Sequence, residues 1–326
     1  MQTFRRFALL ALLLSAPTAA AASEEGRRVI DAVVEVRAEI PSYARSADFI
    51  GTERIGSGAV IDANGLVLTI GYLILEAERV VLATSGGHEV EADIVGYDHA
   101  TGFGLLRARQ ALNLPALPLG DSTPLATDQP VVVVTKAGGP VVMGARVADI
   151  RAYSGTWEYL IENAIFTVPL NRNFGGAALI SPDGTLIGIG SLGLPDAAGT
   201  GRGASGNMFV PVNALKPVMA EMMIEGRGPD RRPWIGLYVE ERDDGLSVIQ
   251  VAKDGPSRAA GIQVGDHVVG VDGASVYNLA DFYRKIWALG APGVTVPIDV
   301  EQGGAVRRIG VRSADRYDWY RFSRGF

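Results

Sequence analysis

The sequence predicts a mainly β protein with two domains. Its 326 residues suggest about two domains, because a typical domain contains ~150 residues. From residue 29 to about residue 208, short apolar segments are separated by Gly, Asn-Gly or Asp-Gly and show little helical period, which favours antiparallel strands. A Gly/Pro/Arg linker at residues 226–233 then precedes a second compact unit of about 80 residues.

Composition excludes several classes of function. The formal net charge is −6 with no block of like charge, so nucleic acid is not an expected partner. The absence of cysteine excludes disulfides, thiolate zinc sites and thiol nucleophiles, and the three histidines lie far apart in the sequence. We therefore expect no cofactor and no metal.

The N-terminal segment predicts export. Residues 1–22 contain Arg5 and Arg6, then the apolar run FALLALLLSA, and end in the small residues PTAAAA that are typical of a cleavage site. This is the order of a cleaved signal peptide. The apolar run is shorter than the roughly 20 residues that span a bilayer, and no later run qualifies. We expect a periplasmic protein with no membrane span after cleavage; the alternative is an uncleaved anchor.

Two hairpins and one strand are predicted in the first unit. Asn64-Gly65 interrupts GAVIDANGLVLTI, and Asp183-Gly184 interrupts ALISPDGTLIGIG. Both dipeptides tolerate the positive φ of a tight hairpin turn. Residues 88–95 alternate between apolar and polar as a half-buried strand does.

A helix is predicted to close the first unit at residues 213–225. Asn213 is the expected N-cap, Pro217 lies in the first turn and Gly226 is the expected end. Its predicted apolar face consists of Leu215, Val218, Met219 and Met222.

The second unit resembles a PDZ domain of the bacterial periplasmic type. In PSRAAGIQVGDHVVGVDGA, Pro256 opens a short helix, Gly261 ends it, and Asp272-Gly273 forms a turn after a strand. The resemblance extends over most of residues 234–313 and implies a small α+β fold.

This resemblance implies a peptide-binding groove. The segment WIGL matches the carboxylate-binding loop, and LADFYRKIWAL matches the groove helix. A bound peptide adds as a strand beside the loop, whose backbone N–H groups take the terminal carboxylate. The alternative is a structural domain with a closed groove. The residues implied for peptide binding are Trp234, Ile235, Gly236, Leu237, Phe282 and Ile286.

The first unit resembles the chymotrypsin-type domain of HtrA/Deg proteases. Gly56-Ser57-Gly58 precedes AVIDANGLVLT, and ADIVGYDHATGFGLLRA, LPALPLGDS, SPDGTLIGIG and FVPVNALKPVM follow in the order of that family. The resemblance covers about residues 56–226, and a PDZ domain follows in that family as well. It implies a chymotrypsin-like double β-barrel followed by a PDZ domain.

The resemblance also locates the family's catalytic triad. The histidine of V-T-N-x-H-V aligns with Tyr72 in LTIGYL, and the aspartate of D-x-x-T-D-x-A-L-L aligns with Gly102 in DHATGFGLL. The serine of N-P-G-N-S-G-G-P-L aligns without a gap with Gly175. All three triad positions are therefore substituted, and the resemblance assigns no catalytic residue to this chain.

These substitutions predict an inactive protease domain. A phenol with a reference pKa of about 10 is a poor base at pH 7, and glycine supplies neither a nucleophile nor a carboxylate. Arg172, Asn173 and Phe174 also replace the family's Pro-Gly-Asn beside the oxyanion hole.

One active alternative is a displaced dyad in which His99 is the base. The serines considered as its nucleophile are Ser154, Ser181 and Ser191.

The predicted organisation leaves an aromatic and arginine-rich tail, RYDWYRFSRGF. One hypothesis is that Phe326 occupies a PDZ groove in cis or in a neighbouring subunit; the alternatives are a tail packed on its own domain or a disordered one. The expected segments are a signal peptide at 1–22, a protease-like domain at 23–226, a linker at 227–233, a PDZ domain at 234–313 and the tail at 314–326.

Together these features predict a catalytically inactive HtrA-like protein of the cell envelope that acts as a chaperone, adaptor or scaffold. The implied partners are polypeptide clients or C-terminal peptides and an active HtrA-type protease, and the resemblance makes a homotrimer one expected assembly. The alternative is an active periplasmic serine endopeptidase with a relocated nucleophile, working in protein quality control.

Overall fold

The computed structural model describes residues 19–201 and 203–322. Most of the predicted signal peptide, residues 1–18, lies outside the described residues, and its last four residues begin helix α1 (Ala19–Asp31). Phe326 also lies outside them, so the hypothesis that it fills a groove stays a prediction. Among the residues described, no helix is long and apolar enough to cross a membrane.

The first six strands close into a barrel in the order β1-β2-β3-β6-β5-β4. The predicted turn at Asn64-Gly65 joins β2 to β3, and Gly65 has a φ of 76°. The short helix α2 (Ala47–Ile50) lies between β1 and β2. The strands are β1 Val33–Glu39, β2 Glu53–Val60, β3 Leu66–Ile70, β4 Arg79–Ala83, β5 Glu89–Tyr97 and β6 Phe103–Ala108.

The next six strands close into a second barrel in the order β10-β11-β12-β9-β8-β7. Its predicted turn at Asp183-Gly184 joins β10 to β11, with Gly184 at a φ of 77°. Side chains from both barrels, including Leu68 and Phe166, belong to one buried apolar cluster. The strands are β7 Pro130–Thr135, β8 Val141–Gly155, β9 Tyr159–Val168, β10 Ala178–Ile180, β11 Leu186–Leu194 and β12 Gly206–Pro211.

The closing helix begins later than the sequence predicts. Helix α3 runs over Met219–Glu225, whereas Asn213 lies in the 3-10 turn Val212–Ala214. Pro217 lacks the N–H that would bond to the carbonyl of Asn213, so a regular helix cannot start there. The side-chain amide of Asn213 instead donates to Asp121 Oδ1 at 2.6 Å. The predicted end is correct, because Gly226 caps α3 in the left-handed conformation.

The last unit is a sheet of order β13-β14-β15-β17-β18, with β16 paired to β15. Pro256 starts helix α4 (Pro256–Ala259), and helix α5 (Leu279–Trp287) is capped by the side chain of Asn278. The strands are β13 Leu237–Arg242, β14 Gly245–Val251, β15 His267–Val271, β16 Ala274–Ser275, β17 Thr295–Gln302 and β18 Ala305–Arg312. Two closed barrels followed by this α+β unit confirm the predicted fold class.

The C-terminal segment packs between the barrels and the last unit. It contains the short helix α6 (Arg316–Trp319). The Tyr317 hydroxyl donates to the carbonyl of Tyr97 at 2.7 Å, and the Trp319 indole donates to the carbonyl of Lys253 at 2.9 Å. One turn of helix therefore contacts the first barrel on one side and the last unit on the other.

Candidate functional site

The fold brings the three triad-aligned positions to one place. Tyr72 lies in a 3-10 turn (Gly71–Leu73) after β3, Gly102 precedes β6, and Gly175 precedes β10. A Cβ atom built on Gly175 would lie 2.8 Å from the hydroxyl oxygen of Tyr72. The amide of Gly71 donates to the carbonyl of Gly102 at 2.7 Å, which holds the aspartate-aligned position beside Tyr72.

Tyr72 is arranged as a hydrogen-bond donor. Its hydroxyl donates to the carbonyl of Ser191 at 3.1 Å. Burial raises the pKa of this phenol above its usual value, because the phenolate would lose its hydration. The side chain at the histidine-aligned position is therefore neutral and cannot act as a base near pH 7.

The aspartate-aligned position is unfavourable for any side chain. Gly102 has a φ of +78°, and a Cβ atom there would lie 3.1 Å from the Tyr159 hydroxyl oxygen. That hydroxyl donates to the carbonyl of Thr101 at 2.8 Å. The nearby Asp98 carboxylate accepts from both the amide and the hydroxyl of Thr101, at 2.9 and 2.6 Å. The Asp98 carboxylate is therefore hydrogen-bonded within its own turn, whereas the Tyr72 hydroxyl donates to the carbonyl of Ser191.

The loop before Gly175 has taken up one amide of the expected oxyanion hole. In a chymotrypsin-type site, the donors are the amides of the serine and of the residue two positions earlier. Here the earlier amide belongs to Asn173 and donates to Asn171 Oδ1 at 2.9 Å. The Asn173 side chain also donates to the carbonyl of Ala137 at 2.8 Å, which fixes this conformation.

His99 forms no hydrogen bond with a serine among the described residues, although His99 and Ser191 line the same cavity. Its ring packs against Tyr97, Tyr317 and Tyr320 at centroid distances of 4.5, 4.1 and 5.4 Å. Neither ring nitrogen has a hydrogen-bond partner among the described residues. Burial lowers the pKa of this imidazole well below its usual value, and Arg316 adds to the effect.

A cavity of about 370 Å³ lies beside the substituted triad. Tyr72 and Gly102 line it on the barrel side, whereas Tyr238 of β13 and Tyr320 of the C-terminal segment line it on the other. The substituted site thus faces the last unit of the chain.

The predicted carboxylate-binding loop holds a carboxylate of the same chain. The amides of Gly236 and Leu237 donate to Glu158 Oε1 at 2.7 and 3.1 Å, and the amide of Ile235 donates to Oε2 at 3.3 Å. Glu158 lies in the turn between β8 and β9 of the second barrel. Residues 155–159, which we name the groove turn, therefore enter the last unit.

Backbone contacts continue from the loop along β13. The amide of Val239 donates to the carbonyl of Thr156 at 3.0 Å. On the other side, the Tyr283 hydroxyl of α5 donates to the carbonyl of Gly155 at 2.7 Å and accepts from the amide of Glu158 at 3.1 Å. The groove turn thus lies between β13 and α5.

The remaining predicted groove residues lie at different places. Phe282 and Ile286 are fully buried and share one apolar cluster with Leu160 of β9. Trp234 is also buried, but its amide donates to the carbonyl of Ala314 at 3.0 Å and not to Glu158. Three of the four predicted loop residues therefore face the carboxylate.

Sequence reasoning missed Glu158. Its carboxyl is buried, and burial raises its pKa to about 7, whereas the Arg316 charge and the three loop amides act in the opposite direction. Its backbone has a φ of +56°, which is uncommon for a residue other than glycine. The sequence offered no local signal, because the three amides are 77–79 residues away along the chain.

Known proteins match both parts of the chain. A model of the trypsin-like peptidase domain matches residues 56–189, and a model of the PDZ domain matches residues 233–312. A probable periplasmic DegP-like serine endoprotease of Pseudomonas fulva is 26% identical over 289 residues, or 83% of this chain and 59% of that protein. The serine endoprotease DegS of Haemophilus influenzae is 27% identical over 237 residues, or 68% and 66%. The two matched domains, their order and these relatives support the HtrA-type family that the sequence resembles.

Solved HtrA-type structures share the fold. The protease AlgW with a decapeptide has a TM-score of 0.56 at 21% identity, with 90% of this chain and 98% of that one covered. The serine endoprotease from Yersinia pestis has a TM-score of 0.55 at 24% identity, with 92% and 99% covered. This chain spans little more than half of the length of the DegP-like relatives it matches.

Proposed function

We propose that this HtrA-type chain is a non-catalytic polypeptide-binding protein of the periplasm. The observation that carries the proposal is the side-chain chemistry at the triad-aligned positions. A chymotrypsin-type mechanism requires a hydroxyl nucleophile, a base and a carboxylate that orients the base. Gly175 and Gly102 have no side chain, so they supply neither the nucleophile nor the carboxylate. Tyr72 is a neutral phenol at the histidine-aligned position and is not a base near pH 7, and Tyr159 lies beside Gly102.

The proposed ligand is a polypeptide with a free C terminus, bound by the PDZ domain. The amides of Ile235, Gly236 and Leu237 converge on a carboxylate, as PDZ-type recognition of a peptide terminus requires. Helix α5 supplies apolar side chains beside them. The predicted signal peptide and the similarity to periplasmic DegP-like proteins support the location.

We further propose an adaptor or chaperone role, in which bound clients are held or passed to an active HtrA-type protease. The family resemblance also makes a homotrimer the assembly to test. Light scattering of the purified chain measures the mass of that assembly directly.

Peptide binding and active-site labelling test this function together. Fluorescein-labelled decapeptides that end in Phe, Leu, Val or Ile are titrated with the chain of residues 23–326, each beside its C-terminal amide. We expect binding that depends on the free carboxylate, and no labelling by a fluorophosphonate probe that labels trypsin in parallel. Labelling of the native chain that disappears on denaturation would favour the second candidate, an endopeptidase with a relocated nucleophile, which the names of the relatives favour.

A further inference from the structure

The groove turn follows the hydrogen-bond pattern of a peptide added to β13. The Glu158 carboxylate accepts from Leu237, and the carbonyl of Thr156, two residues earlier, accepts from Val239, two residues later. An antiparallel strand makes its bonds at alternate residues in this way. The turn therefore reproduces both the carboxylate contact and the first strand contact of a bound peptide terminus.

Two further contacts hold the turn from the side of α5. Tyr283 is fully buried, and its hydroxyl satisfies one carbonyl and one amide of the turn. Leu160, which follows the turn, lies in the apolar cluster of the PDZ domain although it belongs to β9. The barrel thus contributes an apolar side chain as well as a carboxylate to the groove.

The conformation of the turn is unfavourable without these contacts. Glu158 has a left-handed backbone, and the residue is only 6% exposed. A left-handed backbone at a residue other than glycine costs of order 1–3 kcal/mol, and a buried charge needs partners. The hydrogen bonds from the loop amides and to Tyr283 stabilise both the left-handed backbone and the buried carboxyl of Glu158.

We propose that the PDZ groove of this protein is occupied by its own chain, with Glu158 in the place of a ligand's C-terminal carboxylate. A polypeptide terminus binds only after the groove turn has left. This inference rests on the proposed function, because it concerns access to the same peptide site.

The variant Glu158→Gly tests the inference in the full chain of residues 23–326. It removes the carboxylate and suits the left-handed backbone, so the turn is expected to stay folded. Glu158→Gln is the second variant, because it keeps the side-chain size and removes the charge. The matched control is Glu162→Gln: this exposed carboxylate on β9 pairs with Arg284 of α5 at 2.8 Å, outside the loop.

Two measurements separate occupancy of the groove from ligand binding. Hydrogen exchange at the amides of Ile235, Gly236 and Leu237 reports whether the carboxylate protects them. Anisotropy with the labelled decapeptides reports affinity. We expect Glu158→Gly to speed exchange at these amides and to bind peptide at least about tenfold more tightly, because the competent fraction rises. Glu162→Gln should leave both unchanged.

The possible failures are distinguishable. Unchanged exchange and unchanged peptide affinity in both Glu158 variants would overturn the inference. Faster exchange with no peptide bound by any variant would support self-occupancy and overturn the proposed peptide-binding function. Equal effects of Glu162→Gln and Glu158→Gly would overturn the specific role of Glu158, since general loosening of the interface would then explain both.

Discussion

The pKa of the Glu158 carboxyl is set by effects of opposite sign. Burial favours the neutral acid, whereas the loop amides and Arg316 favour the carboxylate, and burial is the larger effect. The pKa of about 7 in the folded chain lies above the roughly 4.3 of an unfolded glutamate. The folded state therefore binds the proton more tightly than the unfolded state does.

This difference predicts a pH-dependent stability. The contribution of Glu158 is most favourable below about pH 4, falls as pH rises towards 7 and is constant above that, by on the order of 3 kcal/mol in total. Urea unfolding of the wild type and Glu158→Gln from pH 4 to 8 should show a gap that changes over this window in favour of the variant. Glu162→Gln, whose side chain is 58% exposed, should follow the wild type. A gap that is the same at every pH would contradict the assignment.

Gly102, the aspartate-aligned residue, combines a positive φ with a close neighbour. Gly102→Asp places a Cβ in the left-handed region and against the Tyr159 hydroxyl. Gly304→Asp is the matched control, because Gly304 has a φ of +79° with nothing within 4 Å of the built Cβ. We expect Gly102→Asp to lower the free energy of unfolding by at least about 1 kcal/mol more than the control does. Equal losses in chemical denaturation would show that Tyr159 does not block the site.

At the scale of elements, the groove turn and α6 join the domains. Each packs on a domain other than the one it is adjacent to in the sequence. The turn extends from β8 and β9 into the PDZ groove, and α6 follows the PDZ strands and returns to the first barrel. The cavity at the substituted triad is lined by residues from both elements.

The packing of α6 predicts a large effect at Trp319. Its ring lies 4.9 Å from the Trp234 ring, and the guanidinium of Arg45 sits 4.9 Å from its centre. Trp319→Ala should lower the free energy of unfolding by about 3 kcal/mol, since truncation of a buried tryptophan typically costs 3–5 kcal/mol. Tyr277→Ala, at a side chain that is 82% exposed, should cost less than about 0.5 kcal/mol. Similar losses in the two variants would mean that α6 does not hold the domains together.

Sequence patterns predicted what neighbouring residues determine. The turns at Gly65 and Gly184 and the start of α4 follow from residues within a few positions of each element, whereas helix α5 was implied by the resemblance to a PDZ domain. The predicted start of α3 was wrong, because no periodic pattern in the sequence marked the 3-10 turn before Pro217. The contact of Glu158 with the loop could not be predicted, because it depends on how two domains pack.

At the scale of the whole molecule, putting the triad side chains back tests whether the surrounding geometry could support proteolysis. The triple variant Tyr72→His, Gly102→Asp and Gly175→Ser restores all three side-chain types. We expect it to cleave no casein, because Tyr159 occupies the aspartate side and the Asn173 amide is already paired. A circular dichroism spectrum like that of the wild type is the control that the variant is folded. Cleavage would show that only side chains, and not the surrounding geometry, have changed.

The most direct test of the non-catalytic assignment is a time course of unfolded casein with the purified chain of residues 23–326, prepared from a host that lacks periplasmic proteases. Because the triad positions hold no nucleophile or base, the casein should remain intact while trypsin digests it in parallel. Cleavage that survives repurification, follows the protein peak and is abolished by a serine-directed inhibitor would contradict the assignment and reveal a relocated nucleophile.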